Sequence, residues 1–93
     1  MLTIHKYELD APNNVVQMPC GAQVLTVQMQ RRTPCLWAKV DPAQPTETRR
    51  FAIYGTGHEV PDDPRMLYLG TVQMEGGALV FHVFELPVEA PTA

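Results

Sequence analysis

No stretch of the 93-residue chain approaches the roughly 20 consecutive apolar residues of a helical membrane span. The opening Met1-Leu2-Thr3-Ile4-His5-Lys6-Tyr7-Glu8 alternates and carries charge, unlike the apolar block of a secretion signal. Positive charge is in deficit: seven Lys and Arg stand against ten Asp and Glu, a net charge of -3. With no global basic field, the chain lacks the usual means of recruiting nucleic acid or anionic lipid. Cysteine is scarce as well, only Cys20 and Cys35. Neither belongs to a CxxC pair, and no HxxxH spacing accompanies them, so nothing assembles a zinc site. Without an export signal, the expectation is two reduced thiols in a cytoplasmic protein; a Cys20–Cys35 disulfide is the lesser alternative. No metal and no cofactor is implied.

Proline and glycine are plentiful, nine and six. They cut the chain into windows too short for most helices. The longest candidate helix, residues 22–33, alternates instead: Leu25, Val27 and Met29 interleave with Thr26, Gln28 and Gln30. That is the period of a strand. The same test places strands over residues 2–9, 14–18, 23–30, 35–41, 48–54, 67–74 and 78–86. An apolar content of 45% is too high for a disordered chain, and the length suits one domain. The expected fold is therefore all-β: a small single-domain antiparallel sandwich or barrel of about seven short strands, over residues 1–87, with a frayed tail at 88–93.

The sharpest local expectation is the last hairpin. Gly76-Gly77 can supply both positive φ values of a two-residue type I′ turn. That register pairs Glu75 with Ala78, Met74 with Leu79, Val72 with Phe81 and Gly70 with Val83. One face then carries Met74, Val72, Leu79, Phe81 and Val83 and should be core. The other carries Gln73, Thr71, Leu69, Val80, His82 and Phe84. A last strand apolar on both faces should be central, or covered by a loop or another subunit.

Chemistry-bearing residues are few. His82 reads as a core histidine satisfied by Thr71 or by backbone, rather than as a ligand. Residues 54–65 combine flexible backbone, one imidazole and three carboxylates. Gly55-Thr56-Gly57-His58 is not a phosphate-binding P-loop, since no Gly-Lys-Ser/Thr follows. Asp62 and Asp63 are adjacent, so their side chains diverge and make no ready metal clamp. Two turns and a covering loop, held by the prolines, are the favoured account of the segment. In Cys35-Leu36-Trp37-Ala38-Lys39-Val40, an inward aliphatic face turns Trp37 outward as an interface residue; the alternative makes Trp37 core while Lys39 snorkels. A small-ligand or enzymatic site would draw on Trp37, Arg50, Tyr54, Thr56, His58 and Asp62. Nucleic-acid binding would need Arg31, Arg32, Arg49 and Arg50 to share one face.

The chain as a whole resembles a family of small proteins, with no assigned activity, from phages and prophage regions of bacterial genomes. The stretches that carry the resemblance are Ile4-His5-Lys6-Tyr7, Met18-Pro19-Cys20-Gly21-Ala22, Leu25-Thr26-Val27-Gln28, Pro34-Cys35-Leu36-Trp37-Ala38, Tyr54-Gly55-Thr56-Gly57-His58 and Gly76-Gly77-Ala78-Leu79-Val80-Phe81-His82-Val83-Phe84-Glu85. The resemblance implies a bacterial or phage setting and a cytoplasmic location, and it brings no catalytic residue. The expected function is a non-enzymatic accessory role. It would be exercised through self-association or through binding a bacterial or phage protein, with no membrane partner.

Overall fold

Alternating side chains punctuated by proline and glycine produce seven strands in the computed structural model, which describes residues 1–88. They are β1 (Thr3–Glu8), β2 (Asn13–Pro19), β3 (Gln23–Gln30), β4 (Thr33–Val40), β5 (Thr46–Gly55), β6 (Leu67–Met74) and β7 (Leu79–Glu85). The other regular element among the described residues is one 3-10 turn, Glu75–Gly77. The expected tail lies almost wholly outside the described residues. Strands β1, β4 and β3 form one sheet in that order, and β2, β5, β7 and β6 form the second. All ladders are antiparallel. The architecture is thus the expected seven-stranded antiparallel sandwich. Its shortest dimension of 18 Å suits two packed layers.

The core lies between the sheets. Strand β4 gives Leu36, Ala38 and Val40, all buried, while Trp37 is half-buried and Lys39 exposed on its outer side. Phe51, Val83 and Val72 cover them from the larger sheet, and Leu9, Met18 and Val27 close the sides. Each large apolar side chain of this set contributes roughly 1.5–3 kcal/mol on burial. Strand β7 is central, between β5 and β6, as an apolar strand must be.

The last hairpin keeps the expected register from Met74↔Leu79 through Gly70↔Val83. Gly76 and Gly77 take φ of 64° and 96°, and the Ala78 N–H donates to the Glu75 carbonyl at 3.1 Å. Glu75 also adopts a positive φ, 54°, so the ladder begins at Met74↔Leu79 and not at Glu75↔Ala78. Two further expectations for this hairpin fail, and the first is Leu79, read as core but 46% exposed. Leu69 does not join the outer face, because the register shifts between Tyr68 and Gly70 and Leu69 packs against the core. Tyr68 stands opposite Phe84 in its place. The cause is a close approach between β6 and β3: a Cβ on Gly70 would lie 2.5 Å from Val27 Cγ2. Here the edges of the two sheets meet, and β3 carries its own register shift between Val24 and Thr26. Bulges of this kind bend a strand at a sheet edge.

At one end of the sandwich the chain crosses between sheets in four residues. The Leu9 N–H donates to the Pro34 carbonyl in the smaller sheet at 2.8 Å, and the Ile53 N–H of the larger sheet donates to the Pro12 carbonyl at 2.9 Å. The Arg31-Arg32 turn between β3 and β4 closes the same end.

Candidate functional site

Antiparallel partners share a face, so the ladders define which residues make up the outer side of each sheet. On the larger sheet, β2 contributes Val15 and Gln17, and β5 contributes Thr48, Arg50, Ala52 and Tyr54. Strand β7 adds Val80, His82 and Phe84, and β6 adds Tyr68, Thr71 and Gln73. Arg50 is the single fixed charge among these residues. The smaller sheet differs: Ile4, Lys6, Glu8, Thr26, Gln28, Cys35, Trp37 and Lys39 share its outer face, three of them charged. The inward aliphatic face of β4 therefore turns Trp37 outward, between Lys6 and Thr26.

The outer face of the larger sheet is also ordered. Phe84 meets the ring of Tyr54 edge-on at 5.9 Å and that of Tyr68 at 5.5 Å. Such tilted pairs add to what area burial supplies. His82 lies in the next row. Thr71 Oγ1 is 3.0 Å from its Nδ1, and Thr56 Oγ1 is 2.7 Å from its Nε2. Tyr68 Oη is bonded to Thr71 Oγ1 in turn. Thr71 is the partner read from the sequence, but His82 sits half-buried on the outer face and not in the core. Two neutral hydroxyls fix its ring, and both ring nitrogens are engaged. An imidazole so held positions a surface; it is not left open for a ligand.

The residues weighed as one ligand site go to different places. Tyr54 and Thr56 stand beside His82. Arg50 shares their face nearer the opposite end of the sheet, and Trp37 belongs to the other sheet. The His58 N–H closes a tight turn onto the Gly55 carbonyl at 3.0 Å. There the imidazole lies against Gly55, whose Cβ would meet it at 2.9 Å. His58 thereby lines a cavity of about 430 Å³ at the end of the sandwich, with Leu9, Pro34, Ile53 and Phe81. Asp62 is exposed in the loop beyond. Its neighbour Asp63 accepts from Arg65 at 2.9 Å and 3.0 Å, and this holds the Asp63 carboxyl below its ordinary range. No group of three or more His, Cys, Asp or Glu among the described residues could hold a metal ion.

The arginines also separate. Arg31 and Arg32 form the β3–β4 turn at the cavity end. Arg31 pays for that turn with a left-handed φ of 58°, which costs an L-residue roughly 1–2 kcal/mol. Arg49 and Arg50 are neighbours on β5 and point to opposite faces. Arg49 turns inward at the far end, where Nε and Nη2 donate to Glu85 at 2.7 Å each and Nη1 donates to the Ala22 carbonyl. Its side chain is 14% exposed and that of Glu85 15%. This two-pronged bond raises the Arg49 pKa above its ordinary value. The pattern missed this pair because charged residues at strand ends read as solvated. The parity of Arg49 with Phe51 and Ile53 was the available signal.

Both cysteines are free thiols, at opposite ends of the sandwich. Burial pushes each pKa up, and Glu47 beside Cys20 adds to the rise. Low thiolate content makes both poor nucleophiles.

No helix among the described residues is long and apolar enough to cross a membrane. No curated protein and no solved structure matches the chain significantly. A family model described as Domain of unknown function (DUF7352) covers residues 1–93, and the chain belongs to that family.

Proposed function

We propose that the protein is a non-enzymatic accessory protein that works as a self-associating module, two copies meeting through the outer face of the larger sheet. One observation carries this reading: among the described residues the face holds a single fixed charge, Arg50, in a chain with seventeen, seven basic and ten acidic. Depletion of charge with retention of tyrosine marks the centre of protein interfaces. Tyr68 is 59% exposed and Val15 67%, so the apolar surface is open. A second copy suits it better than a charged partner. Apart from Arg50 and the His82 ring, which is held by Thr56 and Thr71, its polar groups are hydroxyls and amides, which pair with their own kind, and two copies meeting about a twofold axis bring no block of like charge together. The resemblance to phage and prophage proteins supports a setting in the bacterial cytoplasm.

The nucleic-acid reading has no such support, since Arg31, Arg32, Arg49 and Arg50 share no face and Arg49 is bound to Glu85. Gel filtration with light scattering on Tyr68→Glu tests the proposal. The substitution is at an exposed position, so the fold survives, and association should weaken by about tenfold or more. An unchanged mass profile contradicts it.

A further inference from the structure

The cavity at the sandwich end has the composition of a ligand site. Its walls are Leu9 from the core, Ile53 and Phe81 packed against the core, and Pro34, and its rim carries Arg32, His58 and Asp10. At about 430 Å³ it spans the liquid volume of about 14 water molecules. It opens to solvent at the end of the sandwich, and a concave, mostly apolar hollow with a few polar groups at its edge is the usual form of a small-molecule site.

Two sequence choices shape the rim. Gly55 lies in strand backbone outside the left-handed region, so no turn geometry demands glycine there. Its missing side chain is what lets the His58 ring lie on the cavity wall. Arg31, at φ 58°, occupies a conformation that two-residue hairpin turns normally give to Asn or Gly. The turn instead presents two successive guanidinium groups beside this hollow and a neighbouring one of about 410 Å³, Arg32 and Met74 lining both. Strained backbone of this kind is concentrated where a side chain has work to do.

We propose that the end cavity binds a small amphipathic anion. An apolar body of about a dozen heavy atoms would fill the space between Ile53, Phe81 and Leu9. One carboxylate-type group would be held by Arg32, whose planar fork matches it, with the His58 imidazole as second donor. Asp10 on the same rim and Glu75 beside Arg31 oppose a second negative charge, so a monoanion is selected over a dianion. This site is separate from the proposed self-association face, and either can fail without the other.

The test is a titration of the isotope-labelled full chain with decanoate below its micelle concentration, followed by amide and methyl shifts. Decylammonium is the cationic match and decanedioate the dianionic one. Decanoate should saturate, with shifts concentrated at Leu9, Ile53, Met74 and Phe81. Arg32→Gln, an exposed turn substitution that leaves the spectrum folded, should weaken decanoate by about tenfold. Gly55→Ala, which pushes the His58 ring aside, should weaken it by about threefold or more. Decylammonium and decanedioate should each bind more weakly than decanoate by about fivefold. Lys39→Gln, on the outer face of the smaller sheet, should bind decanoate as the parent does. Equal binding of decanoate and decylammonium overturns the proposal. So does an unaffected Arg32→Gln, a set of shifts spread over the outer face, or no shift up to millimolar decanoate.

Discussion

Gly70 is the residue on which the closure of the sandwich turns. Its absent Cβ allows β6 to lie against Val27 of β3, where a methyl group would approach to 2.5 Å. Valine cannot swing aside cheaply, because its branched side chain has one preferred rotamer in most settings. Gly70→Ala should therefore destabilise the protein by about 1–3 kcal/mol, the usual cost of overpacking, as measured by urea unfolding. Val27→Ala costs stability by itself, yet in the double variant the two losses should sum to less than their parts, since the clash is gone. Additive losses would mean that the approach is loose. A second single-residue device is Glu85, which holds Arg49 by two bonds while Arg49 reaches the Ala22 carbonyl. Glu85→Gln keeps the shape and removes the charge, leaving a mostly buried guanidinium half-satisfied. The expected loss is about 2–4 kcal/mol by the same measurement.

Among the elements, the connection between β4 and β5 shows how a turn is set by one side chain. Asp41 Oδ1 accepts from the Ala43 N–H at 3.1 Å, and Oδ2 accepts from Gln44 Nε2 at 3.3 Å. The Ala43 bond, and the Gln44 bond after it, hold the Asp41 carboxyl below its ordinary value. A carboxylate whose folded pKa is depressed stabilises the fold above its unfolded pKa and loses that contribution as pH falls through the folded value. Thermal unfolding from pH 5 downward should show Asp41→Asn losing less of its stability than the parent does. An identical acid-side decline in both would remove Asp41 from the account.

The strands were legible in the sequence because Leu25, Val27 and Met29 alternate, as do Leu36, Ala38 and Val40, and because proline and glycine mark the turns. The hairpin register was legible in Gly76-Gly77. The bulge at Leu69 was not. It arises from Gly70 meeting Val27, a contact between strands some forty residues apart, and local alternation carries no trace of it. For the same reason the candidate site was only partly legible. The unusual composition of residues 54–65 drew attention to His58, which does line a cavity. Trp37 fell on the other sheet, and Arg50 shared a face with Tyr54 but lay far along it from His58, because sheet order, and not sequence proximity, decides which faces coincide. The walls of the cavity, Leu9, Ile53 and Phe81, were legible only as core.

At the scale of the whole molecule, the two faces of the sandwich are unequal. The smaller sheet presents Lys6, Glu8 and Lys39 around Trp37, as a solvated face does. The larger sheet presents Tyr54, Phe84 and Tyr68 over a floor of hydroxyls and amides. A chain of 10.4 kDa builds one modest core, and covering this second face would add to its stability in proportion to the dimer formed. Strand β7, apolar on both sides, then has its inner face in the protomer core and its outer face in the pair.

The most direct measurement is sedimentation equilibrium of the unmodified chain across a wide range of loading concentrations. The mass should rise from 10.4 kDa to twice that value, and a Tyr68→Glu chain should need about tenfold higher concentration or more for the same rise. A protein that remains at 10.4 kDa at millimolar concentration would contradict the proposed self-association.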